Sequence, residues 1–180
     1  MSFVHVWGHA LSLALARILP PTIHPMVVHF PIALLYLCAG VDVLALILPD
    51  QDRFLQRCGF WLLTLANAAT VVAIVAGQVA EQSLKLTPVV VAALHQHTLF
   101  VGLTGLAEGA AWILRVLARY PRRKAGWSAL GTGHGRGGVL TTALVVAAAI
   151  LVAVAGHYGG VMVYQGGAGV AGVGRVPLPA

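Results

Sequence analysis

His24-Pro25-Met26-Val27-Val28-His29-Phe30-Pro31-Ile32-Ala33-Leu34-Leu35-Tyr36-Leu37-Cys38-Ala39-Gly40-Val41-Asp42 is the stretch on which the reading of the fold turns. Two histidines and two prolines stand at its opening, a run of apolar residues follows, and a carboxylate lies well inside it. A run of this length and apolarity is the body of a membrane-spanning helix. Histidine and aspartate are costly inside a bilayer, so each needs a partner or a role.

The composition around it agrees. Of 180 residues, 59% are hydrophobic and only 9% charged, more apolar surface than a soluble domain of this size can bury. The net charge of +6 does not point to nucleic acid. Most of it comes from Arg115, Arg119, Arg122, Arg123, Lys124 and Arg136, gathered in one connecting segment, the pattern of a cytoplasmic loop. The two cysteines, Cys38 within a span and Cys58 at the start of the next, are poorly placed for a disulfide. No Cys-x-x-Cys-His occurs, which excludes covalent c-type haem attachment, and no hydrolase triad, Walker or zincin pattern is present.

Four spans follow from hydropathy: Met26 to Leu48, Phe54 to Ala80, Val89 or His95 to Leu117, and Gly137 to Tyr164. The expected fold is an all-α integral membrane protein, a four-transmembrane-helix up-down bundle. Residues 1–21 are expected to form an amphipathic helix at the interface, because about 17 apolar residues are marginal for a core of roughly 30 Å; a further span is the alternative. Residues 22–164 form the membrane domain, and residues 165–180 a glycine-rich tail. No long-period repeat is evident in the sequence. Basic residues in the first and third connections place those loops in the cytoplasm and both termini outside, in a bacterial inner membrane.

That topology gathers the histidines. His24 and His29 open span one, His95 and His97 open span three, and His157 closes span four, so five of eight fall in one outer layer. Imidazole ligates haem iron, copper and zinc. His95 and His97 are about 200° apart around a helix, so one of them points inward. The leading expectation is a single haem b near the periplasmic face, held by His29 and one of His95 or His97, with His24 and His157 in support. A copper or zinc site of His29, His95 and His97 competes with it. A cofactor-free structural subunit of a larger membrane complex, its histidines at headgroup level, is the runner-up reading, ahead of the copper or zinc site. Asp42 and Glu108 each lie 13 residues beyond an outer histidine, about 20 Å deeper along a helix. They form a polar or proton site, with Asn67, Thr70 and Arg115 as available partners.

The segments His24 to Leu34 with Asp42, and Gly156-His157-Tyr158-Gly159-Gly160-Val161-Met162-Val163-Tyr164 with Gly167-Ala168-Gly169-Val170, resemble the opening and closing motifs of a bacterial membrane family known as domain of unknown function 2231. The resemblance covers about residues 24–170. It implies a four-helix membrane fold and a redox setting, since members of that family accompany c-type cytochromes and respiratory components. The function expected is a b-type cytochrome-like subunit of an electron-transfer complex rather than a stand-alone enzyme. Its partners would be other membrane-complex subunits, and a periplasmic c-type cytochrome or a quinone.

Overall fold

The computed structural model describes residues 18, 20, 22–48, 53–119 and 136–169. The expected N-terminal interfacial helix, the basic cluster Arg122 to Lys124 and the end of the glycine-rich tail lie outside the described residues. Among the described residues five helices make four spans: α1 (Ile23–Val27) and α2 (His29–Ile47) share the first, followed by α3 (Phe54–Glu81), α4 (Pro88–Arg119) and α5 (Arg136–Tyr164). Each span is 25 to 31 residues long, enough to cross a bilayer core of roughly 30 Å at 1.5 Å per residue.

Local sequence explains the ends of these elements. Pro31 has no N–H to offer the carbonyl of Val27, and the first span divides one residue later, at Val28. Helix α4 opens on Pro88, where a missing N–H costs nothing, and the Thr87 hydroxyl caps it by accepting the Val90 N–H at 3.3 Å. Helix α5 closes through Gly167 at φ 67, a conformation that favours glycine, as the Ala168 N–H reaches back to the Met162 carbonyl at 2.9 Å.

The spans pack as two hairpins. The first and second spans lie together, as do the third and fourth, and the hairpins meet where span one touches span four and span two touches span three. The core is small and tight: Leu35, Cys38, Leu63, Ala111, Val145 and Ala148 are essentially inaccessible. Alanines at the contacts let the backbones approach, as membrane helix pairs require. Only 17% to 39% of each span is buried within the bundle. The outward residues include Leu37, Trp61, Val72, Leu106 and Ile150, an apolar surface suited to lipid.

A close approach occurs at Gly59, whose missing side chain leaves room for Asp42. A Cβ there would collide with Asp42 Oδ1 and lie 3.7 Å from Arg115 Nη1. Gly59→Ala therefore overpacks a buried ionic contact and should lower stability by about 1–3 kcal/mol. Thermal melting in detergent measures this, with Gly40→Ala, which meets nothing within 4 Å, as the neutral control.

Candidate functional site: two polar pairs at opposite ends of the bundle

His24 and His97 come together from different hairpins. Their ring centroids are 6.4 Å apart and their planes nearly perpendicular, at 86°. Each ring is anchored within its own hairpin. His24 Nδ1 lies 3.1 Å from the Ala73 carbonyl of the second span, and His97 Nδ1 lies 2.8 Å from the Ala155 carbonyl of the fourth. A carbonyl only accepts, so Nδ1 carries the proton in both rings and Nε2 of the neutral imidazole keeps its lone pair. Glycines make the space: a Cβ on Gly77 would sit 3.3 Å from the His24 ring, and one on Gly159 would sit 3.6 Å from the His97 ring.

The other predicted histidines are placed differently. His29 is exposed and turns its Nδ1 back to the Pro25 carbonyl, 2.8 Å away on its own span. His95 is exposed, on the opposite side of its helix from His97, and His157 is also exposed, with its ring against its neighbour Tyr158. Among the described residues, no three histidine, cysteine, aspartate or glutamate side chains converge as a metal-holding set. His29, His95 and His97 thus do not gather as a triad here.

Asp42 lies 18 residues along the first span from His24, about 27 Å at helical rise and so towards the other end of the bundle. There Arg115 Nη2 donates to Asp42 Oδ2, with both side chains almost wholly buried. Cys38 Sγ lies 3.2 Å from the Gly59 carbonyl and 3.8 Å from the same aspartate oxygen. Among the described residues, Arg115 Nε and Nη1 have no hydrogen-bond partner. Sequence reasoning grouped Arg115 with the cytoplasmic basic segment, while also naming it as a partner for Asp42. The structure corrects the first assignment: the residue is 2% exposed and belongs to the bundle interior. A guanidinium in hydrocarbon needs an anion, and the one carboxylate within reach decides where it goes.

Glu108 does not share a site with Asp42. It accepts a hydrogen bond from Thr70 on the second span, while its Oε2 is without a partner among the described residues. One turn along, Trp112 Nε1 donates to Thr64 Oγ1 at 3.1 Å, so this tryptophan packs between the third and second spans.

The fold defines a multi-pass, all-α membrane protein, with four candidate spans among the described residues. The family model described as "Predicted membrane protein (DUF2231)" matches residues 20–172, and the chain belongs to that family. No curated protein and no solved structure matches it.

Removing one partner of the ion pair leaves the other charge buried alone. Arg115→Ala or Asp42→Ala should each cost about 3–5 kcal/mol, whereas replacing both, as Asp42→Leu with Arg115→Met, should recover most of that loss. Melting of the three variants in one detergent checks the order.

Proposed function

We propose that the protein is a membrane redox subunit that holds one b-type haem between His24 and His97. The observation that carries this reading is the His24–His97 pair itself: two imidazoles from separate hairpins, each with Nδ1 tied to a backbone carbonyl. That second bond is the usual arrangement behind a ligating histidine, because it fixes the tautomer and the ring orientation. A metal–imidazole bond is about 2 Å, so one ion shared by two rings separates their centroids by ~6 Å, close to the spacing of this pair.

The donor set also favours haem over free copper or zinc. A haem iron needs only two axial ligands from protein, whereas zinc takes three or four protein donors. The pair offers two, and no third donor joins it among the described residues. Bound there, a haem would supply one-electron transfer. The chain's own contribution is to fix the two rings through the Ala73 and Ala155 carbonyls, with each ring packed against a glycine, Gly77 or Gly159. This reading keeps the single haem expected from the histidine layer and moves the ligand on the first span from His29 to His24, with His97 as the choice on the third.

Basic residues in the first and third connections support an orientation in a bacterial inner membrane with the histidine end towards the periplasm. A periplasmic c-type cytochrome or a quinone is then the natural electron partner, within a larger membrane complex.

Ligand substitution tests the reading. In haem-replete expression, His24→Ala and His97→Ala should each abolish the Soret band while the protein still elutes as a folded species. His29→Ala and His95→Ala should retain it. Colour that survives in both His24→Ala and His97→Ala, or that vanishes with His29→Ala alone, would overturn the assignment.

A further inference from the structure

Both polar pairs join residues the same distance apart in sequence. Asp42 and Arg115 are separated by 73 residues, and so are His24 and His97. The anchors of the two histidines repeat as well. Ala73 and Gly77 hold His24, while Ala155 and Gly159 hold His97, and each pair of anchors is four residues apart. The second set lies 82 residues after the first. The extra residues fall in the longer connection of the second hairpin.

Along much of each span burial follows the same two offsets, with Ala45, Ala76 and Val79 as buried residues whose counterparts are more open. In the first span Pro31, Leu35, Cys38 and Asp42 are buried; 73 residues on, Thr104, Glu108, Ala111 and Arg115 are buried. In the second span Gln56, Gly59, Leu63, Ala66 and Ala73 are buried; 82 residues on, Gly138, Thr141, Val145, Ala148 and Ala155 are buried. Helical periodicity alone can align buried stripes. It does not make a residue touch its own counterpart, which is the mark of a twofold contact. Here that happens twice, at opposite ends of the bundle.

We infer that the bundle is two copies of one helical hairpin related by a pseudo-twofold axis along the membrane normal, with His24–His97 and Asp42–Arg115 as its two axial contacts. Parallel repeats of this kind, with spans one and three running the same way, are a known plan for membrane proteins. The two pairs have different tasks on the axis. The histidines are alike, so the hairpins contribute equally to one shared site. The charges are unlike, so they choose the pairing: two first hairpins would set Asp42 against Asp42, and two second hairpins Arg115 against Arg115. Only first with second neutralises the axis. The Glu108–Thr70 contact is not repeated in the other copy, since the counterparts are Leu35 and Val152. The inference stands on the protein contacts and holds with or without a haem.

Two measurements on the full-length chain test it. A twofold axis makes the distance from Leu37 to Ala147 equal to that from Ala110 to Leu65, and all four positions face outward. Nitroxide pairs are introduced at these sites as cysteines, in a background of Cys38→Ala with Cys58→Ser, and read by pulsed dipolar spectroscopy. The two distance distributions should coincide; distinct means would overturn the repeat. Charge exchange tests the axial role of the ion pair. Asp42→Arg and Arg115→Asp alone should each lose most of the monodisperse protein. The double exchange, Asp42→Arg with Arg115→Asp, should restore it, with a melting temperature within about 5 °C of the unaltered chain. A double variant no better than either single one would overturn the interchangeability of the two positions.

Discussion

An arginine and an aspartate sealed inside a bilayer persist only by neutralising one another, and the rest of this bundle is arranged so that they can. Arg115 reaches Asp42 across the bundle because Gly59 has no side chain in the way. Both side chains are almost wholly buried among the helices, so water does not satisfy either charge. The pair therefore fixes the register of one hairpin on the other. Everything at the histidine end, about 27 Å away, inherits that register.

The histidine end works on the opposite principle. Its two rings are neutral, alike and each held by a carbonyl of its own hairpin, so docking of the hairpins brings together two donors already oriented. Ligand binding there would draw on both halves at once and reinforce their contact. In the proposed reading the ionic end supplies specificity of assembly, and the imidazole end supplies chemistry. Separating these tasks along one axis lets each be built from very few polar residues, which suits a chain with only 9% charged positions.

Much of this was legible in the sequence. Hydropathy defined four spans, since lipid imposes a single rule on every segment it surrounds. The histidine layer followed from topology, and the spacing of His95 and His97 required one of them to face away. What sequence could not supply was the rotation of each helix about its axis. His29 lies within the strongest motif and was the natural first ligand, yet five residues place it about 140° around the helix from His24, so with His24 facing His97 it turns outward. Arg115 carries the same letter as the loop arginines that follow it, and only its depth in the bundle separates it from them. The repeat escaped notice because its halves share positions rather than residues: Asp42 answers to Arg115, Cys38 to Ala111 and Gly59 to Thr141. Contacts reveal such a relation where residue identity does not.

The central claim is that one haem sits on the axis between two equivalent histidines, and its stoichiometry tests this most directly. The purified protein, expressed with haem supplied in excess, is assayed by pyridine haemochrome alongside its oxidised and dithionite-reduced spectra. About one haem b per chain, with sharp reduced α and β bands of two-histidine ligation, is the predicted result. A colourless protein, or a second equivalent of haem per chain, would contradict the account.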